Sequence, residues 1–343
     1  MKRLLIIRLS AMGDVALTVP VVDSLARQNA DLRITVLTKQ QNVPLFDWMP
    51  ANVEVMGIDT AKVKGVTGLE RLYQQLRKRR FDYVADLHDV LRTKYLRTRF
   101  RIGGTRVAVI DKGRKQKKAL TGHGMDMAPL QPVTDRYADV LHSLGIDFTL
   151  SFDRAFDPRM ENFLPVERRI GRKPQGERWV GIAPFAAHEC KIYPLAQMQQ
   201  VASTLASHGV RVFLFGAGQT ERSVLESWQA DGIVSTCGIL GGLHNEMLLM
   251  SRLDCMVAMD SANMHIASLC GTPVVSIWGA THPKAGFTPW QQPADRILQR
   301  DDLACRPCSV YGNKACQFGD LRCMNGIAPE TIVSRVERIW NEA

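Results

Sequence analysis

The stretch that most constrains this chain is residues 257–278, VAMDSANMHIASLCGTPVVSIW. An apolar run ends at Met259, Asp260 and Ser261 follow at once, and a helix pattern opens around Met264, Ile266 and Leu269. Gly271-Thr272-Pro273 stops that helix, and a second apolar run begins at Val274. A strand that runs straight into a helix presents free N–H groups and the positive end of the helix dipole to an anion. Asp260 and Ser261 are good N-cap types, and His265 follows about one turn later on the side of the helix mouth. The arrangement reads as a grip for phosphate and sugar. A capped helix with a surface histidine is the plainer reading of the same residues.

The rest of the chain repeats this strand-to-helix unit. Strands are expected at 4–7, 33–37, 52–56, 83–87 and 106–110, with helices at 15–28, 69–79, 91–100 and 135–144 between and after them. Residues 152–175 replace the alternation with Pro158, Pro165, Pro174 and mixed charges, as a linker does. A second series follows, with strands at 179–182, 210–215, 233–235, 255–259 and 274–278, and helices at 195–207, 220–229 and 245–251. A last amphipathic helix covers 329–340. Alternation at this rhythm argues for an α/β fold of two doubly wound parallel-sheet domains. Ligands of such sheets bind at the carboxyl ends of the strands.

No apolar run in the 343 residues reaches the ~20 needed to span a bilayer. Arg8 interrupts the first apolar run too early for a signal-peptide core. A cytoplasmic protein is therefore expected. The formal charge of +10 is unevenly placed. Residues 77–118 hold fifteen Lys or Arg against four Asp, an excess that accounts for the whole imbalance. A local basic field attracts phosphates on nucleic acid, anionic lipid or phosphorylated glycolipid. The run spans several expected elements, which suggests a face, although a solvated surface is the ordinary meaning of a charge run.

Individual residues carry the candidate chemistry. Gly13-Asp14 lies where the first strand meets the first helix. Asp14 can cap that helix or take a proton from a substrate hydroxyl, and Gly13 lets backbone approach a ligand. No Gly-x-Gly-x-x-Gly follows the first strand, which disfavours a dinucleotide site, and no Walker lysine is present. Lys191 follows a strand and precedes a helix, where it can hold a pyrophosphate as a point charge. Gly216-Ala217-Gly218 with Glu221, and Gly279 to Pro283, occupy equivalent strand-to-helix loops. Near the end stand Cys305, Cys308, Cys316 and Cys323, with only one Cys-x2-Cys pair among them. A structural zinc, free thiols or one disulfide are all compatible with that spacing.

Together these residues are similar to glycosyltransferase family 9, the ADP-heptose:lipopolysaccharide heptosyltransferases. The resemblance rests on Ser10-Ala11-Met12-Gly13-Asp14-Val15 with Pro20 downstream, Lys191 with Tyr193-Pro194, Asp260 to His265, the Gly279 turn and the tail ending Arg322-Cys323-Met324. It implies a GT-B fold: two Rossmann-like domains, at 1–165 and 176–327, facing a cleft, with residues 328–343 as a helix returning to the first domain. It implies Asp14 as catalytic base, Lys191 on the donor phosphates, Asp260 on the donor sugar, and Ser261, Ala262 and His265 along the pyrophosphate. Glu221 and Gly241 fall near the nucleotide. Acceptor contacts are assigned to Ser10, Gly13, Arg92 and Lys94. The chain departs from the family pattern at Ala186, Ala187, Tyr193 and Ala262, which bears on the donor more than on the reaction class.

The expected function is inverting transfer of a heptose from ADP-heptose or a related donor to a phosphorylated glycolipid at the inner-membrane surface. No cofactor is expected for catalysis, because Lys191, His265 and the helix N-terminus can address the leaving diphosphate as a metal would. A 2-epimerase-type enzyme and a non-catalytic relative are the alternatives. Nucleic acid is not an expected partner, since only Phe81, Tyr83, Tyr95 and Phe100 interleave the basic run.

Overall fold

The computed structural model describes residues 1–123 and 128–341. The chain divides into two compact units: residues 1–112 with 131–155, and residues 113–130 with 156–343. This moves the expected boundary from 165 to 155 and gives 113–130 to the second unit.

The first unit is built on a five-stranded parallel sheet, in the order β3-β2-β1-β4-β5. Its strands are β1 (Arg3–Ile7), β2 (Arg33–Lys39), β3 (Val53–Ile58), β4 (Tyr83–Asp86) and β5 (Arg106–Val109). The central β1 pairs with both neighbours, Leu4 opposite Ile34 and opposite Tyr83. Leu4, Leu5, Ile6 and Ile7 are completely buried, as a strand covered on both faces must be. The chain steps from β1 to β2 and β3 on one side, then returns to β4 and β5 on the other. The β1 end is thus the switch point, where adjacent loops diverge and leave a crevice. The helix expected over 15–28 is two: α1 (Met12–Ala16) and α2 (Val19–Gln28). Thr18 Oγ1 donates to the Val15 carbonyl at 2.7 Å, and Pro20 starts the second helix, where its missing N–H is harmless. Helices α3 (Gly65–Arg77), α4 (Leu91–Ile102) and α6 (Val133–His142) complete the unit, and α5 (Arg114–His123) belongs to the other.

The second unit repeats the design with six parallel strands, ordered β11-β10-β9-β6-β7-β8. These are β6 (Trp179–Ala183), β7 (Arg211–Leu214), β8 (Ile233–Ser235), β9 (Cys255–Met259), β10 (Val274–Ile277) and β11 (Ile297–Leu298). The reversal falls between β6 and β9, which pair directly, Ile182 opposite Val257. Around the sheet lie α7 (Leu164–Ile170), α8 (Leu195–Ser207), α9 (Gly218–Ser227), α10 (Leu243–Met250), α11 (Ala262–Leu269), the short α12 (Arg322–Asn325) and α13 (Pro329–Asn341). Helix α7 occupies part of the expected linker.

The last helix packs by its apolar stripe. Its stripe of Ile332, Val333, Val336 and Ile339 is buried in one core with Met198, Val201 and Leu205 of α8 and with Val257 and Ile277 of the sheet. That apolar face therefore forms part of the core of the second unit. The basic run also differs from the face it suggested. Residues 77–112 lie in the first unit and 114–118 open α5 in the second. Arg79, Arg97 and Arg99 turn to Glu54, Asp86 and Glu70, while Arg92, Lys94 and Arg101 are exposed on α4. No helix among the described residues is long and apolar enough to cross a membrane.

Candidate functional site

In the first unit the chemistry gathers at the end of β1. Asp14 sits on α1, one short turn past the strand. Its Oδ2 meets Arg8 Nη2 at 2.6 Å and accepts the Ala11 N–H at 3.2 Å. Both contacts use one oxygen, so Oδ1 remains for a hydroxyl donor. Arg8 is nearly buried and is held from behind, where its Nη1 donates to the Leu87 carbonyl at 2.7 Å. Tyr137 closes the other side, donating its hydroxyl to the Asp14 carbonyl at 3.3 Å.

His88 and Ser10 complete this cluster. Leu9 N–H donates to His88 Nδ1, and Ser10 Oγ stands 3.4 Å from His88 Nε2. With Nδ1 accepting, the neutral ring carries its proton on Nε2 and points it at Ser10. Burial, with the Arg8 and Lys112 charges nearby, pushes the His88 pKa down to about 3, so the imidazole is neutral at physiological pH. Neither Arg8 nor His88 was among the expected site residues. Arg8 was visible as the charge that ends an apolar strand, whereas His88 lies about eighty residues away and arrives through the β1–β4 pairing. Gly13 lies beside Asp14. Arg92 and Lys94 lie on α4, exposed and outside this cluster, with Lys94 Nζ 3.8 Å from Asp89.

In the second unit the two adjacent central strands deliver the opposite charges. Lys191 lies on the turn Glu189–Lys191 after β6, and Asp260 directly follows β9. Lys191 Nζ and Asp260 Oδ2 are 2.8 Å apart, and both side chains are mostly buried. Thr281, in the loop after β10, donates its hydroxyl to the same Oδ2 at 2.7 Å. Three loops at the carboxyl edge of one sheet thus meet at one carboxylate. Ser261 is the N-cap of α11 by position, yet its side chain makes no cap hydrogen bond; Ser261 Oγ is buried without a partner. The expected capping role is therefore not what Asp260 and Ser261 perform. Ala262 opens α11, and His265 is buried rather than on the surface.

Glu221 and Gly241 stand further along the same edge. Glu221 Oε2 accepts the Ala217 N–H at 2.8 Å, which binds the loop after β7 to α9. Gly241 takes a φ of +81° in the loop after β8, a left-handed value that glycine adopts without strain. Thr281 lay in a loop marked from sequence, but its bond to Asp260 depends on the β9–β10 pairing.

All eight cysteines are free thiols. Cys305, Cys308, Cys316 and Cys323 line one small cavity together with Cys190, the neighbour of Lys191. As placed, no three His, Cys, Asp or Glu among the described residues stand at metal-binding spacing.

Comparison with known proteins agrees with this architecture. The family model described as glycosyltransferase family 9 (heptosyltransferase) matches residues 69–318. Lipopolysaccharide heptosyltransferase 3 of Escherichia coli is 26% identical over 286 residues, covering 78% of this chain and 81% of that protein. A glycosyl transferase family 9 structure from Veillonella parvula superposes with a TM-score of 0.76 at 18% identity, over 100% of this chain and 98% of that one. The E. coli ADP-heptose lps heptosyltransferase II gives 0.72 at 17% identity, over the whole of both chains. The fold is GT-B, with two Rossmann-like units.

Proposed function

Because this chain belongs to glycosyltransferase family 9, we propose that it moves a heptose from ADP-heptose to a lipopolysaccharide core acceptor with inversion at the anomeric carbon. The observation that carries the reading is the Lys191–Asp260–Thr281 cluster at the switch point of the second sheet. A nucleotide-sugar offers that cluster two things at once. Its diphosphate is an anion for Lys191, and its sugar hydroxyls are donors for Asp260. Both buried charges then exchange each other for ligand partners, which limits their desolvation cost. The α11 N-terminus supplies further positive potential to the leaving diphosphate, and His265 lies on that helix as a further hydrogen-bonding group.

Asp14 takes the proton of the acceptor hydroxyl as that oxygen attacks the anomeric carbon, and ADP leaves from the opposite face. Arg8 fixes the carboxylate through Oδ2, and Ser10, oriented by His88, borders the acceptor. The acceptor is a phosphorylated glycolipid. Exposed Arg92, Lys94 and Arg101 on α4, with Leu91 and Ile102 also exposed on that helix, suit an anionic membrane surface. The relatives named above, a lipopolysaccharide heptosyltransferase and an ADP-heptose enzyme, support donor and acceptor class. The deciding experiment is a thermal-shift and calorimetric comparison of ADP, UDP and GDP, followed by product analysis with ADP-heptose and a heptose-deficient core acceptor. Selective stabilisation by ADP and a β-to-α or α-to-β change in the product linkage support the reading. Preference for another nucleotide, or release of free sugar alone, overturns it.

A further inference from the structure

The carboxyl edge of the first sheet brings cations from several strands to the neighbourhood of Asp14. The registers set the strand ends in one row. Leu37 of β2 and Asp86 of β4 both lie opposite Ile7 of β1, and Val109 of β5 lies opposite Asp86. Two residues further on, Lys39, Leu9 and His88 stand at one level, and Lys112 lies one residue past that level after β5. Hydrogen bonds hold the row together. Arg8 N–H donates to the Leu37 carbonyl at 3.1 Å, Leu9 N–H donates to His88 Nδ1, and Lys112 Nζ donates to the Asp89 carbonyl at 3.1 Å.

The charge of this row is lopsided. Arg8, Lys112 and Lys39 act on His88 as cations, against Asp14 as a carboxylate. Arg8 is committed to Asp14 at 2.6 Å. Asp86 and Asp89, close to His88 in the chain, both meet Arg97 at 2.9 Å. Lys39 is partly buried and makes no hydrogen bond or ion pair among the described residues. A partly buried ammonium loses hydration, and a crevice lined by one sign of charge concentrates ions of the other. An anion seated at the row answers both.

We propose that Lys39 and Lys112 form a subsite for one phosphomonoester on the acceptor saccharide, beside the hydroxyl that Asp14 deprotonates. A phosphomonoester carries about −1.5 to −2 charges at pH 7, which two ammonium groups match and a single carboxylate does not. Strands about 4.8 Å apart put the β2 and β5 ends about 14 Å from each other. Two lysine side chains with a phosphoryl group between them fill that gap. The group undergoes no covalent change there. Its binding orients the attacking hydroxyl toward the open oxygen of Asp14.

The subsite lies wholly in the first unit. It differs from the α4 surface, where Arg92 and Lys94 are exposed. Partly buried lysines at strand ends suit one ligand group, whereas an exposed helix face suits a bilayer. The acceptor half of the proposal rests on the transfer reading above; binding of a phosphomonoester at Lys39 does not.

The test begins with lysine footprinting of the full chain by acetylation and mass spectrometry. The probe is a hexose 6-phosphate, compared with sodium chloride and with a hexuronate at equal ionic strength. Acetylation of Lys39 and Lys112 should slow at least about threefold with the phosphate, while exposed Lys62 keeps its rate. Kinetics then use the heptose-deficient core acceptor before and after phosphatase treatment. The unmodified chain should prefer the phosphorylated form at least about tenfold in kcat/KM, mostly through KM. Lys39→Gln should narrow that preference to less than about threefold, and Lys39→Arg should keep it. If Lys39→Gln does not fold, the footprint of the unmodified chain decides alone. Protection of Lys39 no greater than in chloride overturns the subsite, and equal protection by the hexuronate overturns its assignment to phosphate. A full preference retained by Lys39→Gln overturns the acceptor half. Failure to transfer sugar to either form of the acceptor overturns the transfer reading and leaves the footprint standing.

Discussion

Asp14 does a local job before any substrate arrives. It accepts the Ala11 N–H and pairs with Arg8, so its carboxylate is oriented by backbone and charge together. Asp14→Asn keeps the shape and removes the proton acceptor. We expect kcat to fall by about 10²–10⁴ with ADP affinity unchanged; full turnover by this variant would remove Asp14 from catalysis. Lys191 and Asp260 behave as a coupled pair. Lys191→Ala leaves a mostly buried carboxylate with only Thr281, and should cost about 3 kcal/mol of second-unit stability as well as weakening ADP. Adding Asp260→Asn should recover part of the stability loss, a non-additivity that denaturant titration measures. His88 and His282 are both held neutral by burial, with pKa values pushed down to about 3 and about 4. An unfolded histidine protonates near 6.5. Below that pH the unfolded state binds protons that the folded state refuses, so stability present above about pH 6.5 is lost progressively down to about 4 and then 3. Replacing either by Gln should flatten the melting-temperature profile in that window.

At the scale of elements, the decisive feature is which strands are neighbours. Lys191 and Asp260 are far apart in the chain, yet β6 and β9 pair in parallel and place their following loops side by side. The strand-to-helix loops were legible from composition, because apolar runs followed by Gly, Asp or Ser mark them. Their mutual contacts were not legible, because pairing depends on strand order, which periodicity does not encode. The same limit explains α13. Its amphipathic stripe was plain, but a stripe does not say which surface it covers. Ile332→Ala should therefore cost about 2–5 kcal/mol in the second unit, read as faster hydrogen exchange in α8, β9 and α13. In the loop following Cys308, Gly312→Ala adds a Cβ against Lys191 at a left-handed φ. It should weaken ADP binding and lower stability by about 1–3 kcal/mol, without altering the first unit.

At the scale of the molecule, each parallel sheet carries a charged cluster at its switch point. The first presents a carboxylate fixed by Arg8 at its switch point, and the second presents a lysine and a helix N-terminus at its own. ADP at a hundredfold excess over Kd should add about 2.7 kcal/mol of stability. Hydrogen exchange should place that protection in the second unit. Two doubly wound domains, their strand-end loops and the position of Asp14, Lys191 and Asp260 after the ends of strands were determined by the sequence itself. Period and punctuation are local properties, and each of those residues sits where a strand stops. Only the tertiary structure decided that Asp14 is clamped by Arg8, that Lys191 and Thr281 share the Asp260 carboxylate, and that five thiols and a buried arginine surround one cavity. Those contacts join segments distant in the chain, and their energies depend on a separation that only strand pairing and packing set.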